Sequence, residues 1–422
     1  MKTTIRKAGF VSLVAAAAGV ASAATTIHVD SVTQRWPWNN KVDITYTVTG
    51  GQDVSASKYY KIVFTTVING TTYTIDGSTL GASANTDTHT VTWIAPTGLR
   101  CANCTMSAAI YDSDVPSGDD YMIVDLTTGD ITYEGLFATQ DASNARYNTD
   151  VDGSNIYKET KLVLRKVPAG GPYVVLGDWV DASVSKTKST DRDYYIGIYP
   201  VTQKQYETIG ADAGATPSIY KTEVAGNPAK HRPVERVSWI DLRTDIASTS
   251  SIPMVASAGT GTFFQRLCYK TGNVLAFDLP TDVMFNLAAH AGVTTRYFYG
   301  SDTADSSKYV CAESSGDPMK TMFVGSKPAN AWGLYDVSGN VWERGRDTCR
   351  ANASTFEWLF GSRNVFTPRY NTADTTHTLL GGNCLNVTYN NVYFRLDYYG
   401  GSVEGADNAN QTVGFRVAVV MD

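Results

Sequence analysis

Six cysteines and five histidines carry the strongest claim to redox, metal or nucleophilic chemistry in this 422-residue chain. The histidines, at 28, 89, 231, 290 and 377, are scattered, and none falls in a His-x-x-x-His or His-Glu-x-x-His spacing that would aim two imidazoles at one metal. Cys101-Ala-Asn-Cys104 is the one local thiol pair, but a structural zinc site needs two further ligands and no second Cys-x-x-C or histidine pair follows. That pair is expected to close a small disulfide loop, and an even count lets all six cysteines pair in an oxidising compartment. A different concentration lies near the C-terminus. Asn383, Asn386, Asn390, Asn391, Asn408 and Asn410, with Tyr389, Tyr393, Tyr398 and Tyr399, crowd the stretch between Gly381-Gly382 and Gly414-Phe415-Arg416. Such residues supply adaptable hydrogen bonds and rigid amphipathic area at low entropy cost, which is binding chemistry rather than bond-making chemistry.

The elements that position these residues follow from composition and pattern. The chain is long enough for two or three cored domains, and its formal net charge of -6, with no basic cluster, gives nucleic acid no footprint. Lys2, Arg6 and Lys7 precede an uncharged run from Ala8 to Val20 and then Ala21-Ser22-Ala23, the order of a secretory signal peptide (1–23). The run is too short to span a membrane, and the mature chain is expected to begin near Ala24, without a transmembrane segment. No lipidation cysteine follows the cleavage site. Residues 24–158 show short alternating or β-branched runs, Val42–Val48, Tyr60–Val67 and Thr90–Ile94, between Gly/Asn/Asp/Ser/Thr clusters. They predict an antiparallel all-β sandwich of immunoglobulin or fibronectin type without useful helical periodicity. Trp36-Pro37-Trp38 reads as a rigid edge packing on that core, with a carbohydrate platform as the alternative.

The texture changes across Tyr157–Val167 and the punctuating Pro168-Ala-Gly-Gly-Pro172. Residues 159–422 are expected to form an α+β domain rich in irregular structure, with helices signalled at Thr202–Ile209, Ser238–Ala247 and Asp282–Ala291. Thr281 is positioned to cap the last, whose buried face would be Val283, Met284, Leu287 and Ala288. In order along this half stand Tyr194-Tyr-Ile-Gly-Ile-Tyr-Pro-Val-Thr-Gln203, Arg232-Pro-Val-Glu-Arg-Val-Ser-Trp239, Phe277-Asp-Leu-Pro-Thr281, Asn330-Ala-Trp-Gly-Leu-Tyr-Asp-Val-Ser-Gly-Asn-Val-Trp-Glu343 and Val413-Gly-Phe-Arg-Val417. The collinear series resembles the formylglycine-generating enzyme (sulfatase-modifying factor) family over roughly residues 160–420. That resemblance implies a C-type-lectin-like fold with long surface loops.

The resemblance also implies a structural calcium loop at Asp336, Gly339, Val341 and Glu343. Two carboxylates and the carbonyls of Gly339 and Val341 are oxygen donors suited to a hard cation, and an affinity near 0.1 mM would stabilise the domain by roughly 1.4 kcal/mol in millimolar calcium. The alternative is a turn in which Glu343 pairs with Arg344 or Arg346. The family's activity, oxidation of a substrate cysteine to formylglycine, is implied to use two cysteines and copper. Aligned on Gly381-Gly382 and Arg395, those positions hold Asn386 and Asn391, which offer no thiolate, so no catalytic residue is assigned and copper is not expected. Cys384 falls two positions early and cannot restore a two-thiol site; it either pairs with Cys349 or stays a thiol. Phe285-Asn286 and Ala289-His290 stand where the family commonly has Trp-Glu and Cys-Arg or Ala-Arg, and around Val310-Cys311-Ala312 the Asn of a second calcium site is missing.

The Asn/Tyr-rich segment resembles the C-terminal variable region of diversity-generating-retroelement target proteins, many of which use this scaffold. The expectation is therefore an exported protein, secreted, periplasmic or at the cell surface of a bacterium, that binds an unknown protein or carbohydrate. The expected face is Asn383, Asn386, Tyr389, Asn391, Tyr393, Asp397, Tyr398 and Tyr399, with Arg395 and Arg416 holding the scaffold through carboxylate partners. An active sulfatase-modifying oxidase and a structural surface component are the competing expectations.

Overall fold

A computed structural model describes residues 10–11, 26–35, 40–49, 59–80, 88–101, 104–113, 118–137, 139–149, 155–176, 186–210, 216–222, 228–243, 261–301, 306–312, 320–348, 364–368, 376–385, 403–405 and 409–421. The signal-peptide reading, apart from Phe10 and Val11, and Trp36-Pro37-Trp38 lie outside them. The chain divides into two compact units: Met1–Tyr121 with Thr132–Phe137 and Gly272–Val274, and Met122–Ile131 with Ala138–Thr271 and Leu275–Asp422.

In the first unit, β1 (Phe10–Val11), β2 (Thr26–Gln34), β3 (Lys41–Thr49) and β6 (Thr88–Ile94) make one antiparallel sheet. β5 (Thr71–Leu80), β4 (Tyr59–Ile68) and β7 (Met106–Ser113) make another, also antiparallel. Alternation decides the faces: in β3, Val42, Ile44, Tyr46 and Val48 are fully buried while the residues between them are not. They share one core with Ile62 and Phe64 of the other sheet, and the Tyr46 and Phe64 rings meet edge to face at 5.2 Å. This is the sandwich the alternating runs predict.

The second unit is the α+β part. β18 (Ala418–Val420), β13 (Tyr194–Gly197), β10 (Lys161–Val167), β8 (Tyr121–Asp125) and β9 (Ile131–Glu134) form a five-stranded sheet in that order, of which Tyr121 and Thr132–Glu134 are counted with the first unit. β16 (Val403–Gly405), β15 (Thr376–Leu380), β14 (Trp342–Thr348) and β17 (Val413–Gly414) form a second sheet, in which β17 runs parallel to β14. β11 (Gly170–Leu176) and β12 (Lys186–Thr190) make a hairpin. Residues 122–131 and 138–158, which sequence pattern placed with the sandwich, fold here. β8 is bonded to β10, and Asn148 Nδ2 donates to the Gly325 carbonyl at 3.0 Å. The same stretch carries α1 (Gln140–Asn148) and α2 (Ile156–Glu159), against the expectation of no helix. α1 buries only Ser143 and Tyr147, so it has no apolar stripe for periodicity to detect; Thr139 caps it.

The helices expected further on form where their caps stand. α3 (Gln203–Ile209) starts on a Thr202–Gln205 capping box and ends at Gly210 in the left-handed conformation. α4 is shorter than its signal, Trp239–Leu242, after a Ser238–Asp241 box. α5 (Phe263–Lys270), unforeseen, carries Thr262 and Gln265 in the same spacing. α6 (Asp282–His290), capped by Thr281, buries every residue but Val283, so it is a core helix rather than the one-sided helix expected. α7 (Ser306–Tyr309) is one turn. Met284, Leu287 and Ala288 of α6 share a core with Ile196, Leu334, Val337, Leu380 and Ala418, joining both sheets of the unit.

Candidate functional site

The loop expected to hold calcium links the interior to β14. Asp336 and Asn340 take positive φ, +52° and +64°, with Gly339 at +90° between them. A Cβ on Gly339 would stand 2.6 Å from the Cys311 carbonyl oxygen, so the close approach as well as the φ requires glycine. Asn340 N–H donates to Cys311 O at 2.8 Å, and the Asn340 side chain bridges Met322, accepting from its N–H at 3.1 Å and donating to its carbonyl at 3.2 Å.

Asp336 and Glu343, both buried, do project inward from this loop. Their oxygens are already engaged. Arg416 Nε and Nη2 donate to the two Glu343 carboxylate oxygens at 2.8 and 2.7 Å, and the same guanidinium donates to the carbonyls of Gly197 (2.9 Å) and Tyr335 (2.8 Å). The partner of Glu343 is thus Arg416, not Arg344 or Arg346, as the expected scaffold role of Arg416 requires. Asp336 Oδ2 accepts from Gly325 N–H at 2.8 Å, and its carboxylate also interacts with Asn340, Arg416 and Lys158. Burial raises both carboxyls above their ordinary range, and the cations pull the other way. This donor set does not fit a divalent cation: the geometry that would turn Glu343 toward a metal is spent on a guanidinium fork.

Lys158 was not foreseen. On α2 it is 1% exposed, its Nζ 5.1 Å from the Phe323 ring centroid and 5.9 Å from that of Tyr199, donating to Asn148 O at 3.5 Å. No local pattern marks a buried lysine. Its contacts with Tyr199 and Phe323 come from parts of the chain distant in sequence.

The segment expected to form a binding face is described only at its root. Asn386, Tyr389, Asn391, Tyr393, Asp397, Tyr398, Tyr399 and Arg395 lie outside the described residues, as does Cys349. Asn383 is described and is 6% exposed, its Oδ1 accepting from Leu385 N–H at 2.7 Å; it builds a turn instead of presenting a face. Gly381 and Gly382 both take positive φ, and a Cβ on Gly381 would stand 3.0 Å from the Val337 carbonyl oxygen. The root is bolted to the Asp336–Glu343 loop, since Gly339 N–H donates to Gly381 O (2.7 Å) and Cys384 N–H to Asn340 O (3.0 Å).

The remaining chemistry-bearing residues are quiet. Cys101 and Cys104 form the expected disulfide. Full pairing of the cysteines fails: Cys268 and Cys384 are buried thiols, pushed up to about 12 chiefly by burial, which makes them poor nucleophiles. His377 stacks on Trp239 at 3.6 Å, buried, with neither ring nitrogen hydrogen-bonded, and burial with Arg344 and Arg243 lowers it to about 3. His290 keeps Nδ1 on Val293 O (3.1 Å), and burial lowers it to about 4. Both are neutral packing residues. Arg243 and Arg346 flank buried Asp278 at 2.6 and 3.2 Å, a structural knot.

Residues 159–421 match the Sulfatase-modifying factor enzyme 1-like domain. A stretch of 193 residues is 28% identical to Chaperone protein LppX of Paenibacillus barcinonensis, covering 38% of this chain and 65% of that protein. Among solved structures, Treponema denticola variable protein 1 is 19% identical with a TM-score of 0.48, covering 62% of this chain and 95% of that one. PvdO from Pseudomonas aeruginosa is 18% identical with a TM-score of 0.46, at the same coverages.

Proposed function

The chain belongs to the sulfatase-modifying factor enzyme 1-like family, and from that premise we propose that it is an exported ligand-binding protein rather than an oxidase. The observation that carries this reading is the occupancy of the two thiol positions implied by the resemblance: Asn386 and Asn391 stand there, within a segment dense in Asn and Tyr. An amide neither ligates copper(I) as a thiolate does nor exchanges with a substrate disulfide. The nearest thiol in sequence, Cys384, is buried and held protonated. A rigid root of two glycines, bonded to an ion-paired loop, is the support a variable or adaptable binding segment requires. The signal-peptide-like start supports export, which would bring the protein to a protein or carbohydrate ligand.

The test is to read residues 380–416 across many individuals of the source population. Substitutions concentrated at the Asn and Tyr positions, with Gly381, Gly382, Gly414 and Phe415 fixed, are expected for a diversified binding face. Changes spread evenly over segment and framework would refute diversification. Oxygen consumption with copper and a cysteine peptide would refute the binding reading itself.

A further inference from the structure

We infer that the Asp336–Glu343 loop is closed by a cation belonging to the chain itself, Arg416, and that this unit of the protein takes no divalent metal there. Glu343 and Arg416, both fully buried, neutralise each other without an ion. Calcium needs roughly six to eight oxygens turned toward one point. Both Glu343 oxygens instead face Arg416, which also claims Tyr335 O and Gly197 O. Turning Glu343 toward a metal would break its two-pronged pairing with this guanidinium inside a core, where neither group would find water. Asp336 is likewise committed, its Oδ2 to Gly325 N–H, and the Asn340 amide beside it is spent on Met322.

The consequence reaches the C-terminal segment. Glu343 lies in β14 opposite Leu380 on one side and Gly414 on the other, the residues that precede and follow the Asn/Tyr-rich stretch. The staple therefore ties together both ends of that stretch. Where the binding reading holds, capture of ligand survives chelation.

The experiment uses the full-length protein, stripped with EDTA and then titrated with calcium, followed by thermal unfolding and by terbium luminescence sensitised through Trp342. The expected result is a Tm unchanged to within about 1 °C and no saturable terbium signal. An ion bound with the affinity of an extracellular module would raise Tm by roughly 3 to 6 °C at millimolar calcium. A rise of that size abolished by Asp336→Asn overturns the inference. If that variant does not fold, a saturable Trp342-sensitised terbium signal in the unaltered protein overturns it alone. Both readouts are independent of any ligand, so failure here and failure of the binding reading are separable.

Discussion

Replacing Arg416 with methionine removes the guanidinium but keeps most of the buried volume. Two charge-assisted bonds to Glu343 and two bonds to the Gly197 and Tyr335 carbonyls disappear together. Glu343, fully buried, is left as an uncompensated carboxylate. Breaking such a pair from one side costs about 3 to 5 kcal/mol, far above the 0 to 1 kcal/mol of an exposed pair. For a unit of this size that is a drop in Tm of roughly 6 to 20 °C. The assay is urea unfolding of the full chain, with the transition of the second unit followed by tryptophan fluorescence. The deficit has a pH signature. Stranded Glu343 has a folded pKa above its unfolded value, so the protonated form stabilises the fold below that unfolded value and the benefit is lost as pH rises through the folded one. The deficit is therefore smaller at acid pH than at pH 8. Adding Glu343→Met to Arg416→Met removes the stranded charge and should recover part of the loss, so that the double variant costs less than the sum of the two single costs in the double-mutant cycle. A single-variant cost below about 1 kcal/mol, independent of pH, would refute the reasoning, because it would mean that the pair is solvated.

Other outcomes follow from the same cores. His290 and His377 are buried neutral, held near 4 and 3, while the unfolded chain binds their protons below about 6.5. Their contribution is complete above that value and lost as pH falls toward the folded values, up to about 3 kcal/mol for His290; a variant with His290→Gln should show a flatter pH-stability curve between pH 6.5 and 4. Cys101→Ser with Cys104→Ser should destabilise the first unit by about 2 kcal/mol in urea, the loop entropy of so short a closure, and leave the second unit's transition in place. Cys384 and Cys268 should resist iodoacetamide in the native protein and label only on unfolding; rapid native labelling of Cys384 would contradict its burial.

Legibility differed by the range of the interaction. Strand β3 could be read because its Val42, Ile44, Tyr46 and Val48 alternate on a sheet with one buried face. α3 and α6 could be read because Thr202 and Thr281 announce them, and α5 carried the same Thr-x-x-Gln signature unread. α1 could not, since its sequence is polar on every side and its place is set by Asn148 on Gly325. The loop at Asp336 was legible as a motif, and its pairing with Arg416 was not. Residue types fixed the carboxylates, but whether Glu343 meets an ion or a guanidinium depends on Arg416, brought in from a distant part of the chain. The need of a buried Arg416 for a carboxylate was readable in advance; its choice of Glu343 was not.

The central claim, that the Asn/Tyr-rich segment is a binding face, is tested most directly by probing arrays of glycans and extracellular proteins with the full-length protein. A variant carrying Tyr389→Ser, Tyr393→Ser, Tyr398→Ser and Tyr399→Ser, matched to it in Tm, serves as the comparison. The account predicts reproducible array signals for the native protein that the variant loses. Native signals that the variant retains undiminished would contradict it.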